Sequence, residues 1–161
     1  MGKQYYKTFQ TKGIIEFVPY GDTPNNSYKH IVERAVANGK KQVIFTTSIF
    51  KDLISRIYNE KLNLMDLKFM EPLEIYDFKD VGQLINQINI SKGNKILIKS
   101  LLETINWVVN DESIDIKSIT IGNQGTKRST DLFSNGVLCM DTEEFEVITN
   151  DIIKPVLQKY L

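Results

Sequence analysis

The sequence has few of the residues from which cross-links and metal centres are built. Among 161 residues there is one cysteine, Cys139, and one histidine, His30. A single cysteine excludes an internal disulfide and a cysteine-rich zinc site. Cys139 lies in the apolar run Val137–Met140, which predicts a small buried side chain.

An excess of charge and a long apolar run are also missing. Twenty basic residues balance twenty acidic ones, so no global field recruits nucleic acid or anionic lipid. The sequence has no run of about 18 apolar residues and no signal peptide. These absences predict a cytoplasmic protein that binds no nucleic acid.

Nucleotide-binding signatures are absent as well. Neither GxxxxGK[ST] nor GxGxxG occurs, so nucleotide binding of those types has no support. A receiver-like site, with Asp77 accepting phosphate, needs a group of acids after the first strand to hold Mg²⁺. Only Asp22 stands there, so this interpretation ranks low.

The stretch Gly13–Asn38 is the most informative part of the sequence. An apolar run predicts a strand at Ile14–Val18, and the loop Pro19–Ser27 follows it. Apolar residues then recur at helical spacing from Tyr28 to Val36. His30 falls at the start of this helix, roughly 190° from the centre of the apolar stripe, and should face solvent or a ligand.

A lone histidine has two interpretations here. It is most often a surface residue without a role. Alternatively, it is a nucleophile that accepts a phosphoryl group, because a helix N-terminus attracts anions and favours a neutral imidazole. The residues of this stretch leave both interpretations open.

Strand-like and helix-like patterns alternate along the chain, which predicts an α/β fold. The predicted strands are Ile14–Val18, Gln42–Thr47, Leu73–Tyr76, Lys95–Lys99, Ile116–Ile121 and Val137–Met140. Such alternation predicts one domain, residues 13–161, with a mostly parallel sheet and helices on both faces. Residues 1–12 lack a period and are predicted to be an N-terminal extension. The last helix is expected to kink or break at Pro155.

The polar loop Gly122–Arg128 has the sequence GNQGTKR. Its two glycines and two cations could cradle a phosphate group. Taken alone, a solvated surface loop is the favoured interpretation.

Two stretches of the chain carry a family resemblance. They are EPLEIYDFKDVGQLI at Glu71–Ile85 and the whole of Asn94–Ile148, within which IDIKSITIGNQG at Ile114–Gly125 is the strongest single match. Together with the order of elements, they resemble the IIB subunits of the mannose/fructose/sorbose-type sugar phosphotransferase system (PTS). The order of predicted elements resembles the family over about residues 13–153, and the amino-acid sequence does so mostly over residues 71–145. It implies the sorbose-type IIB fold and a protein-histidine phosphoryl transferase.

In that family a histidine after the first strand takes a phosphoryl group from a IIA protein and passes it to the incoming sugar. By resemblance, His30 is the catalytic residue. The expected phosphoryl-binding residues are Asn26, Ser27, Lys29, Lys127 and Arg128. The implied partners are a PTS IIA protein or domain, the membrane subunits IIC and IID, and the sugar. The chain would thus be peripheral to the membrane through its partner subunits. The resemblance implies neither a metal nor a cofactor, and it is compatible with a homodimer.

The histidine loop departs from the family pattern, which reads roughly Arg-Val-Asp-Asp-Arg-Leu-Ile-His-Gly-Gln. This chain has TPNNSYKH followed by Ile31 and Val32, without either arginine. Arginine matters because its guanidinium holds a phosphoryl group through two hydrogen bonds. The alternative function is therefore a domain that has lost phosphoryl transfer and acts as a binding or regulatory module.

Overall fold

Seven strands of the described chain form a single sheet. A computed structural model describes residues 2–123 and 128–161. The strands are β1 (Lys3–Thr11), β2 (Ile14–Tyr20), β3 (Lys41–Gln42), β4 (Leu62–Phe69), β5 (Ile116–Asn123), β6 (Ser129–Phe133) and β7 (Val137–Asp141). The α-helices are α1 (Tyr28–Ala37), α2 (Thr47–Asn59), α3 (Ile75–Ile90), α4 (Lys95–Asp111), α5 (Phe145–Val147) and α6 (Lys154–Leu157). None of these helices is long and apolar enough to cross a membrane.

The sheet is antiparallel, and the prediction of a mostly parallel sheet is wrong. Its strand order is β2-β1-β7-β6-β5-β4, and β3 pairs with the far end of β1. Each of these neighbouring pairs is antiparallel. The α/β class is confirmed, but the sorbose-type IIB architecture that the resemblance implied is not.

Two predicted strands are helical, which explains the wrong prediction. Helix α3 begins at Ile75, inside the predicted strand Leu73–Tyr76. The apolar residues of Lys95–Lys99 belong instead to the first turn of α4, where the Asn94 side chain accepts hydrogen bonds from the Ile96 and Leu97 N–H groups. A short apolar run fits a strand and a buried helical turn equally well, and here the capping asparagine decides between them.

Residues 3–11, expected to lie in an extension, form β1 inside the sheet. A two-residue turn connects β1 to β2, because Thr11 pairs directly with Ile14. Lys12 and Gly13 both have positive φ, 52° and 82°, as a type I′ hairpin turn requires. The same strand pairs with β7 on its other side, where Lys7 lies opposite Val137.

Helices cover both faces of β1. Side chains alternate along a strand, so Tyr6 and Phe9 point to opposite faces. Phe9 packs against Ile31 and Ala35 of α1 in a small cluster. Tyr6 belongs to the main core, which includes five buried residues of α2: Ile49, Phe50, Leu53, Ile54 and Ile57.

The segment after β7 is helical but not uniform. A 3₁₀ turn at Thr142–Glu144 leads into α5, a π-helical stretch spans Ile148–Ile153, and α6 follows. Pro155 has no N–H to donate, so the carbonyl of Asp151, four residues earlier, lacks its usual helical donor. Arg56 Nε donates to this carbonyl at 2.7 Å. The π-helical stretch ends two residues before Pro155, which lies in α6, and α2 supplies the missing hydrogen bond.

Side chains from two helices protect the outer edge of β4. Tyr58 OH accepts the Leu64 N–H at 3.2 Å and donates to Asn89 Oδ1 at 2.8 Å. Asn89 Nδ2 donates to the Leu64 carbonyl at 2.8 Å. An unpaired edge strand invites pairing with another chain, and this network blocks the middle of β4.

Replacement of Tyr58 by phenylalanine should destabilise the fold by about 1–3 kcal/mol, because it leaves the Leu64 N–H without a partner. Urea unfolding measures this change as a lower free energy of unfolding. The matched control is Tyr76→Phe on α3, whose side chain is 77% exposed and whose replacement should change little. Equal unfolding midpoints for the two variants would contradict the role of the Tyr58 hydroxyl.

Candidate functional sites

Four of the predicted site residues lie together at the start of α1. Ser27 is the N-cap of this helix, and its Oγ accepts from the His30 N–H at 3.4 Å. The same Oγ lies 2.9 Å from His30 Nδ1. The His30 side chain is exposed, as the sequence predicts. In the tautomer in which Nδ1–H donates to Ser27 Oγ, Nε2 keeps its lone pair and is available to a reactant.

The cations beside His30 are tied to groups of their own segment. Lys29 Nζ lies 3.9 Å from the Glu33 carboxylate, one turn further along α1. Arg34 Nη2 donates to the Asn25 carbonyl at 2.8 Å. Asn26 shapes the loop through its backbone, because its carbonyl accepts the Gly21 N–H at 2.8 Å. The start of α1 is thus an open helix terminus, with its neighbouring cations already engaged.

Arg128 lies elsewhere, just before β6. Strands β1 and β7 separate β6 from β2, the strand that leads into the His30 loop. The Arg128 guanidinium binds the carboxylates of Glu143 and Glu144, the latter at 3.3 Å. Lys127 lies outside the described residues. The structure therefore groups Asn26, Ser27, Lys29 and His30, and it does not add Arg128 to them.

A cavity of about 540 Å³ lies beside the middle of β1, at Lys7. We call it the Lys7 cavity. Its lining comes from β1, the connection between β3 and α2, the end of β4, the start of β5 and the turn between β6 and β7. The lining residues are Lys7, Gln42, Ile44, Phe45, Thr46, Thr47, Met70, Asp115, Ile116, Ser134 and Asn135.

Lys7 is the most unusual residue of this cavity, because its side chain is only 1% exposed. Its Nζ donates to the Val43 carbonyl at 3.3 Å and to the Asn135 carbonyl. In residues 2–123 and 128–161, no carboxylate lies within ion-pair distance of this amine. Burial lowers the pKa of Lys7 to about 8, because the charged form loses its hydration.

The turn between β6 and β7 brings a carbonyl to Lys7. Gly136 has a φ of 80°, and a Cβ at this position would lie 1.9 Å from the Val43 carbonyl oxygen. Only glycine permits this approach. Asn135 Oδ1 accepts the Val137 N–H at 3.2 Å and closes the turn. The sequence Asn135-Gly136 thus positions the Asn135 carbonyl that receives the Lys7 amine.

Asp115, the residue before β5, lines the same cavity and contacts Thr47, the first residue of α2. Thr47 Oγ1 donates to Asp115 Oδ1 at 3.2 Å and accepts the Ile116 N–H at 3.3 Å. The Asp115 carbonyl accepts the Met70 N–H at 2.8 Å. Thr46 is the N-cap of α2, so the positive end of the helix dipole also faces this region.

The sequence did not single out Lys7. Residues 1–12 have no clean alternation, and the lysine stands between Tyr6 and Thr8 without a motif. One signal was available: Gly13, directly before the apolar run Ile14–Val18, fits the second position of a two-residue hairpin turn, which needs a positive φ. It would have placed residues 3–11 in the sheet, and with them a lysine inside a strand.

An acidic cluster lies where α3 begins and α4 ends. Carboxylate oxygens of Glu74, Asp77 and Glu112 lie within 4.8 Å of one another. A side-chain hydrogen bond with Asp77 raises the pKa of Glu112 to about 7. These are the described residues whose carboxylates could together hold a cation, although surface acids often cluster without one.

Comparison with protein families, curated proteins and solved structures finds no match to this chain.

The stability of the protein should depend on pH through Lys7. Its pKa is about 8 when folded, against 10.5 for an ordinary lysine, so the unfolded chain binds more protons between these values. The free energy of unfolding, measured relative to Lys7→Met, should thus rise from pH 8 to pH 10 by about 1–2 kcal/mol, after allowance for solvent screening in the open cavity. Urea unfolding at a series of pH values measures the difference.

The matched control for this pH series is Lys99→Met on α4, whose side chain is exposed. Relative to that variant, the wild-type protein should show no such rise. A difference between wild type and Lys7→Met that stays constant from pH 7 to pH 10 would contradict a buried, charged Lys7.

Proposed function

We propose that this protein binds a small organic anion in the Lys7 cavity. The observation that carries the proposal is the buried Lys7 amine at the wall of a cavity of about 540 Å³, with no carboxylate partner among the residues that the structure describes. This volume lies within the range of about 300–1,000 Å³ that is usual for small-molecule sites. The function belongs to the class of binding modules.

The hydrogen bonds of Lys7 leave room for a ligand. A protonated amine has three N–H donors, and the carbonyls of Val43 and Asn135 accept two of them. Neutral carbonyls also leave the buried positive charge uncompensated, and a buried charge without a counter-charge costs stability. An anion in the cavity supplies both the third acceptor and the missing charge.

The rest of the lining indicates that the ligand has an apolar part. Ile44 and Met70 are 62% and 52% exposed, although both are large apolar side chains. Phe45 and Ile116 line the same cavity and belong to the main core. A ligand that covers these groups removes apolar surface from water while its anionic group contacts Lys7.

Titration with 4-methylpentanoate, a small aliphatic carboxylate, tests the proposal. The backbone amide resonances of the protein, followed by NMR during the titration, should shift at cavity residues such as Phe45 and Ser134. The uncharged analogue 4-methylpentanamide should bind at least tenfold more weakly, because it brings no charge to Lys7. This ligand comparison uses the unmodified protein and does not depend on how a variant folds.

The matched protein variants are Lys7→Met and Lys99→Met. The first should lose the preference for the carboxylate over the amide, whereas the second should keep it. Equal binding of the two ligands to the wild-type protein, or no saturable binding of either, would overturn the proposal.

A phosphocarrier at His30 remains a second candidate. The specific observation in its favour is the contact between Ser27 Oγ and Nδ1 of the exposed His30 at a helix N-terminus, because a hydrogen bond donated by Nδ1–H would leave Nε2 as the nucleophile. Under this proposal the chain would act in the cytoplasm, take a phosphoryl group from a IIA protein and reach the membrane only through IIC and IID. The two candidates use different parts of the fold and are tested separately.

Intact mass after incubation with phosphoenolpyruvate, the two general PTS proteins and a IIA protein tests this candidate. We expect one acid-labile phosphoryl group on the wild-type chain and none on His30→Ala. Lys7→Met is the control, since it lies outside the His30 loop and should still be modified. No adduct, with a IIA protein that phosphorylates an ordinary IIB subunit, would eliminate the candidate.

A further inference from the structure

The Lys7 cavity carries a negative group as well as a positive one. Asp115 is exposed, and in residues 2–123 and 128–161 no lysine or arginine nitrogen lies within ion-pair distance of its carboxylate. Thr47 Oγ1 binds Oδ1 of this carboxylate at 3.2 Å. The second oxygen, Oδ2, has no hydrogen-bond partner in the described parts of the chain.

One oxygen of the Asp115 carboxylate is bound within the protein. The Thr47 hydroxyl donates its hydrogen to this oxygen and accepts from the Ile116 N–H. The Asp115 backbone carbonyl accepts from the Met70 N–H. The other carboxylate oxygen can therefore accept from a ligand.

We propose that the ligand of the Lys7 cavity is a zwitterion, either a free amino acid or a short peptide. Its carboxylate contacts the Lys7 amine, and its ammonium group contacts Asp115. This inference rests on the proposed function and adds the second charge of the ligand. Two unpaired groups of opposite sign on one cavity select a ligand that carries both complementary charges, since each ligand charge alone would leave one protein charge uncompensated.

The side chain of such a ligand is expected to be apolar. Ile44 and Met70 present exposed apolar surface beside the two charged groups. A polar side chain would gain nothing from this surface, whereas an aliphatic one would bury it. Leucine therefore represents the free amino acid, and leucyl-leucine represents the short peptide.

Isothermal titration calorimetry with a matched series tests the zwitterion. The ligands are leucine, leucyl-leucine, 4-methylpentanoate without the amine, and 3-methylbutylamine without the carboxylate. At least one of the two zwitterions should bind tenfold or more tightly than both single-charge analogues. Whichever of leucine and leucyl-leucine binds more tightly shows whether the ligand is a free amino acid or a short peptide.

The variant Asp115→Asn separates this inference from the proposed function. An asparagine can still accept from Thr47, so the fold should be kept. The zwitterion should bind this variant no more tightly than 4-methylpentanoate does, while 4-methylpentanoate itself should lose no affinity, because the variant removes only a negative charge from the cavity. Asp80→Asn on α3, an exposed acid away from the cavity, should leave the preference for the zwitterion unchanged.

The two proposals fail in different ways. If 4-methylpentanoate binds as tightly as the zwitterions, and Asp115→Asn changes nothing, the anion site stands and the zwitterion is wrong. If none of the four ligands binds, both proposals are overturned.

Discussion

The fold depends on the pairing of β1 with three strands, two of which come from distant parts of the chain. β2 lies on one side of it, and β7 and β3 share the other side. Lys7 lies within this strand, so the strand pairing that builds the sheet also places the Lys7 amine in the interior. The cost of that burial is partly offset by two carbonyls, one from the connection after β3 and one from the turn before β7. One lysine thus joins three segments and at the same time forms a wall of the cavity.

Much of the local structure could be predicted from apolar periodicity. Strands β2, β5 and β7 and helices α1 and α2 fall where the pattern places them, because each buries one continuous stripe or run. Apolar periodicity could not predict whether the sheet is parallel or antiparallel, because strand direction is decided by pairing between distant segments. The sequence pattern did not predict β4 and β6, because charged residues interrupt their apolar residues. Asp66 and Lys68 interrupt β4, and Asp131 interrupts β6. Tertiary pairing, not propensity, makes these segments strands.

The two candidate sites differ in how far the sequence could reveal them. The start of α1 is local: Ser27 and His30 are three residues apart, and helix geometry brings them together. The Lys7 cavity is not local, because Val43 lies 36 residues from Lys7 and Asn135 lies 128 residues away. A motif search compares near neighbours and cannot register such a site. Gly136 is the one feature of the cavity that a local sequence pattern could show. The reason for a glycine at this position is the nearby Val43 carbonyl, which only the structure reveals.

The two-sided pairing of β1 also has a consequence during synthesis on the ribosome. The β1–β2 hairpin can close as soon as residue 20 has emerged, but β1 gains β7 only after Asp141 has followed. At ~5–20 residues per second, this interval lasts on the order of 10 s. Over that period one edge of β1 faces the cell with Tyr6 and Phe9 incompletely covered. A nascent chain of this protein should therefore be a client of ribosome-associated chaperones, and its release should coincide with the completion of β7.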